Sequence, residues 1–144
     1  MTIKLDKELI TYNLDASDRK DAVSQLADKF IKRGIVTDKQ AYLDSVEVRE
    51  AESTTGIGDG IAIPHGQSTA VTDSAVAIAK LAKPLEWKAL DDKPVTYVFL
   101  LAIPEDGNVE HLQILSELAS RLMDDDVRDN LAAAKSVTDL AKVF

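Results

Sequence analysis

The near-continuous apolar run Val95-Thr-Tyr-Val-Phe-Leu-Leu-Ala-Ile103 constrains this chain more than any other feature. Its β-branched and aromatic residues, stopped by Pro104, predict a strand. It lacks polar alternation, so both of its faces must be covered, which makes it a central strand with helices on each side. Two further runs read as strands, Ala75–Leu81 and Ile10–Leu14. A brief apolar stretch, Ile61-Ala62-Ile63, ends at Pro64, and the connection PLEWKALDDKP has proline at both ends.

Helical periodicity surrounds these strands. Behind a cap at Ser17-Asp18, residues Ala22, Val23, Leu26, Ala27, Phe30 and Ile31 recur at helical spacing until Gly34. Thr37-Asp38 caps a second helix, with Ala41, Tyr42, Leu43 and Val46, that fades near Glu52. Ser53–Gly60 reads as loop. A third helix starts at an Asn108 N-cap and places Leu112, Leu115, Leu118 and Leu122 inside. Two helical pieces follow, around Val127–Ala134 and Val137–Phe144, with the Asp124–Asp126 run as a cap. Helices, then strands, then helices predict a sheet covered by helices, an α/β architecture.

The 144 residues fit one domain, 1–144, with no repeat or linker to divide them. A 45% apolar, 29% charged composition is that of a globular chain with a real core. The net charge of −8, without a Lys/Arg block, argues against nucleic acid and anionic lipid as partners. The N-terminus has no apolar leader-like segment and no long apolar run occurs, so the expectation is a cytoplasmic protein with no membrane insertion. Zero cysteine excludes disulfides, thiolate metal sites and a cysteine nucleophile.

Three residues stand out chemically. His65 lies between Pro64 and Gly66 at the end of a buried-looking strand, which predicts an imidazole at a sheet edge where α/β folds tend to take ligands. It also fits a turn histidine without a role. His111 falls in the first turn of the third helix and shares the wheel face of Leu115, Leu118 and Leu122, so it is expected to point inward. It reads either as a buried histidine bonded to backbone, or as a neutral donor to an anion at a helix N-terminus. Arg49 lies on the stripe of Tyr42 and Val46 near the end of the second helix. Dipole compensation accounts for it, but an arginine on an apolar stripe must also reach a partner or solvent.

Other chemistries fail on spacing. The glycine series G-x-G-x-G is neither a dinucleotide fingerprint nor a P-loop. Two distant histidines without cysteine lack zinc-site spacing, no G-x-S-x-G elbow is present, and the acidic run lacks calcium-loop spacing.

Taken together, Arg49-Glu-Ala-Glu-Ser-Thr-Thr-Gly-Ile-Gly-Asp-Gly-Ile-Ala-Ile-Pro-His65-Gly66 resembles the enzyme IIA component, fructose–mannitol class, of the bacterial sugar phosphotransferase system. Glu50, Ile57, Gly58, Ile61, Ala62, Ile63, Pro64, His65 and Gly66 match that signature without a gap, and Glu110-His111-Leu112 fits the second histidine. The resemblance implies a mixed β-sheet sandwiched between helices. It implies that His65 takes a phosphoryl group from the histidine-containing phosphocarrier protein and passes it to a cysteine on the IIB domain of a sugar permease. His111 and Arg49 would assist, and no cofactor or metal is called for. Lacking cysteine, this chain cannot hold that IIB module, so a separate polypeptide supplies it or the chain is a piece of a longer permease. A nitrogen-regulatory paralogue, acting by phosphorylation-dependent partner binding, shares the same histidine site. Outside the family, an anion-binding module built on His111 is the alternative.

Overall fold

Apolar residues at two different periods sort this chain into two cores on opposite faces of one sheet. The computed structural model describes residues 5–106 and 108–144. After a 3-10 turn at Lys7–Leu9 the order is β1 (Ile10–Leu14), α1 (Arg19–Lys32), α2 (Lys39–Glu52), β2 (Gly56–Gly58), β3 (Ile61–Ala62) and β4 (His65–Ser68). Then come β5 (Ala75–Leu85), β6 (Val95–Pro104), α3 (Val109–Leu122), α4 (Asp125–Ala133) and α5 (Val137–Lys142). The six strands form one mixed sheet in the order β1-β5-β6-β3-β2, with β4 joining β6 beyond β3. β5 runs antiparallel to β6, whereas β3 and β4 run parallel to it.

The expected central strand is β6. Val98, Leu100 and Ala102 face the core shared with α1 and α2, while Phe99, Leu101 and Ile103 face the core beneath α3, α4 and α5. This is a single-domain α/β fold, as its sequence periodicity requires. Side-chain oxygens of Asp18, Asp38, Asn108 and Asp124 cap the helices expected at those places. Each such cap contributes about 1 kcal/mol.

Three expectations need correction. Ser53–Gly60 is not all loop: Asp59 and Gly60 both have positive φ and form a two-residue turn between β2 and β3, which pair antiparallel. The flanking strands are too short for a periodicity to show. His65 does not end a strand. Pro64 has no N–H, yet its carbonyl accepts the Leu101 N–H at 3.0 Å, and the chain resumes pairing, so His65 opens β4. Leu112 was expected inside but is exposed, and Ile114 occupies the inner face instead.

Candidate functional site

His65 is in register with Leu101 of β6, which is itself in register with Val76 of β5. Residues opposite one another in a sheet share a face, so His65 lies on the side of the α3 core. Its neighbour Gly66 lies on the other side, under α2. A Cβ there would sit 2.3 Å from Ser45 Oγ and 2.9 Å from Val46 Cγ2, so only glycine lets α2 close down on β4. This contact seats the C-terminal end of α2 beside His65.

The half-buried imidazole of His65 places Nδ1 3.0 Å from the Ile63 carbonyl oxygen. A carbonyl only accepts, so Nδ1 carries the proton and the lone pair is on Nε2. Burial lowers the proton affinity of the ring below its ordinary value, and the Arg49 charge lowers it further. The Ile63 carbonyl and the carboxylates of Glu50 and Glu52 work in the opposite direction without reversing it. The group is therefore a neutral imidazole with a defined tautomer, a nucleophile near neutral pH.

Arg49 follows the buried stripe of Tyr42 and Val46, and its guanidinium donates to the Ser53 carbonyl at 2.8 Å. It thus closes off the end of its own helix while lending its charge to His65. His111 departs from the inward orientation expected of it. Its ring, 23% exposed, lies at the rim, with Nδ1 3.0 Å from Asp106 and Nε2 3.6 Å from Asp73. The wheel face is the predicted one, but at the first turn of α3 it meets the carboxylates of Asp106 and Asp73 instead of apolar side chains. Asp106 is held below the usual carboxylate range, chiefly by the Asn108 N–H and then by the His111 ring.

Ser74 Oγ, one residue before β5, donates to the His111 carbonyl at 3.3 Å. His111 is therefore anchored at the β5 end that flanks Val76, two strands from His65, a spacing of about 10 Å between backbones. The fold thus brings all three singled-out residues to one end of the sheet. Sequence reasoning missed Asp73, Asp106 and Trp87, and the first two are ordinary loop acids by sequence. Trp87 joins Thr55, one of the Ser53–Thr55 hydroxyls that could line a site, in a buried cluster on Glu50. A cleft of about 510 Å³ opens beside that cluster, lined by Arg19, Glu47, Glu50, Thr54, Trp87 and Lys88, and none of the three singled-out residues lines it.

The family model for the phosphoenolpyruvate-dependent sugar phosphotransferase system, EIIA 2, matches residues 4–144. The chain belongs to the type 2 EIIA family. Within this EIIA family, the fructose-specific EIIA component of Haloferax volcanii is 41% identical over 129 residues, covering 90% of this chain and 84% of that one. The fructose-specific EIIABC component of Bacillus subtilis is 34% identical over 136 residues, 94% of this chain but 21% of that protein. The EIIA chain thus spans about a fifth of the latter's length. The crystal structure of the nitrogen regulatory protein IIA-Ntr from Neisseria meningitidis superposes with a TM-score of 0.86 at 25% identity, covering 96% of this chain and 94% of that one. No helix among the described residues is long and apolar enough to cross a membrane.

Proposed function

We propose that this EIIA chain is a cytoplasmic phosphoryl carrier in which His65 is the acceptor. The donor is the phosphorylated histidine-containing phosphocarrier protein, and the recipient is a cysteine on a fructose-type IIB domain. The observation that carries the reading is the bond between His65 Nδ1 and the Ile63 carbonyl, which leaves the Nε2 lone pair of a neutral ring without a partner among the described residues. Nε2 attacks phosphorus as the donor's N–P bond breaks, and that bonding pair returns to the donor imidazole. The His65 ring gains positive character, which the Ile63 carbonyl supports through the retained Nδ1 proton. The next transfer reverses these roles: the IIB thiolate attacks, and the electron pair returns to Nε2.

Phosphoryl transfer asks the protein for positioning and charge stabilisation more than for covalent chemistry. Arg49 supplies a guanidinium once it leaves the Ser53 carbonyl, and His111 supplies a ring donor from the rim once its Nδ1–H turns away from Asp106. On this reading residues 1–144 act as one EIIA module without nucleic acid or membrane insertion. The fructose assignment is supported by the names of the Haloferax and Bacillus relatives.

A second reading, regulation by phosphorylation-dependent partner binding, is supported by the likeness to the Neisseria protein. Incubation with phosphorylated carrier, then intact-mass analysis and a panel of IIB domains, separates the two. Acid-labile, base-stable phosphate on His65 that a fructose IIB domain removes is the expected result. Full labelling of His65→Ala overturns the acceptor assignment, and phosphate that no IIB domain removes favours regulation.

A further inference from the structure

We propose that Glu50 is a positioning residue for the His65 imidazole, acting through Thr55 and Ile63. The proposal rests on the reading of His65 as the acceptor. Glu50 sits one residue past Arg49 in the last turn of α2, so its side chain leaves the helix about 100° away from the guanidinium. Arg49 turns to Ser53, and Glu50 turns to the connection between β5 and β6.

The Glu50 carboxylate takes three hydrogen bonds there. Oε2 accepts the Thr55 N–H at 2.6 Å, and Oε1 accepts the Thr55 hydroxyl at 2.7 Å and the Trp87 indole N–H at 2.9 Å. Thr55 and Trp87 are each 3% exposed, so water cannot readily replace these bonds. Three elements, α2, the start of the β2–β3 hairpin and the β5–β6 connection, are thereby tied to one side chain.

From Thr55 the bonding continues to the site. The Thr55 carbonyl accepts the Ile63 N–H at 3.0 Å, and the Ile63 carbonyl accepts from His65 Nδ1 at 3.0 Å. Each link crosses a planar peptide or a fixed contact, and Pro64 restricts the backbone between Ile63 and His65. Glu50 thus fixes where the Thr55 backbone lies, Thr55 fixes Ile63, and Ile63 selects which ring nitrogen of His65 holds the proton. A carboxylate suits the root of this relay because its two oxygens accept from several donors at once. An apolar residue would leave the buried Thr55 donors unpaired and the Trp87 N–H with only its 3.2 Å contact to the Thr55 hydroxyl oxygen.

The test compares Glu50→Ala and Glu50→Gln with wild type by two readouts. The first is the rate of phosphoryl acceptance from the phosphorylated carrier. The second is the tautomer of His65, read from its ring nitrogen shifts in the unphosphorylated protein, which a merely structural role would not move. Emission from Trp87, the only tryptophan in the chain, reports whether the cluster has opened. Wild type should show the Nδ1–H form. Glu50→Ala should mix the tautomers and slow acceptance at least tenfold, and Glu50→Gln, which keeps one acceptor oxygen, should fall between. Wild-type tautomer and rate in both variants overturn the proposal, as does a slowed rate with the tautomer intact. Should Glu50→Ala fail to fold, Glu50→Gln decides by the same criteria. If His65→Ala accepts phosphoryl as readily as wild type, the acceptor reading fails, and the tautomer still decides what Glu50 does.

Discussion

The hydroxyl of Tyr42 donates to the carbonyl of Leu101 at 2.7 Å, fully buried, and Leu101 is the β6 residue in register with His65. A helix on one face of the sheet is thereby pinned to β6, the strand that pairs with the one carrying the candidate nucleophile. Tyr42→Phe keeps the ring and its edge-to-face contact with Phe30, 5.9 Å between centroids, and removes only that bond. It should cost about 1–3 kcal/mol in denaturant unfolding because a buried carbonyl loses its donor. Gly66→Ala should cost a similar amount, about 1–3 kcal/mol, by overpacking α2 against β4.

Burial and the Arg49 charge hold the His65 titration below the ordinary 6.5. A ring that binds its proton less tightly when folded contributes stability above pH 6.5, and loses it as pH falls through the folded value. The neutral nucleophile likewise persists into mildly acidic solution. Removing the cation in Arg49→Ala should move the midpoint up, and NMR titration of the His65 ring protons checks the sign. A midpoint unchanged or lower in that variant would place Arg49 away from the ring.

Arg49→Ala and His111→Ala should each slow transfer without moving the phosphorylated site. Loss of one preorganised donor costs about 10²–10³ in rate. Rapid-quench measurement of transfer to IIB reads this directly. Wild-type rates in both variants would leave Arg49 as a helix terminator and His111 as a rim histidine bonded to Asp106.

Acids concentrate in one stretch of the chain. Glu105, Asp106, Glu110, Asp124, Asp125, Asp126 and Asp129 are exposed in the segment that bears His111, and Arg128 spends its charge on Asp125. A carrier that must meet and leave partners quickly gains from long-range attraction. The bimolecular rate with the phosphocarrier protein should therefore fall steeply as salt rises, while the phosphorylated end point stays fixed. Charge reversal at Asp124–Asp126 should flatten that dependence. A stopped-flow rate flat across ionic strength would make the segment only a solvated surface.

Much of the frame was legible because its signals are local. The uninterrupted apolar run of β6 demanded two covered faces, and four side-chain caps marked helix starts where Asp18, Asp38, Asn108 and Asp124 stand. The β2–β3 hairpin escaped because strands of two or three residues leave no periodicity, although Asp59-Gly60 is the dipeptide such a turn prefers. His111 was given the right helix face and the wrong surroundings. A wheel shows which residues share a stripe but not where the sheet beneath them ends.

The sequence by itself determined the layered α/β plan, the caps, the Pro64-His65-Gly66 motif and the family, since each rests on neighbours in the chain or on a contiguous motif. Tertiary structure alone decided that Gly66 lies against Ser45 and Val46, that Trp87 reaches Glu50 across 37 positions, and that His111 meets Asp73 and Asp106 rather than the core. The tautomer of His65 draws on both. Ile63 is only two positions from His65, but its N–H is held by the Thr55 carbonyl across the hairpin, a pairing that exists only once β2 and β3 have come together.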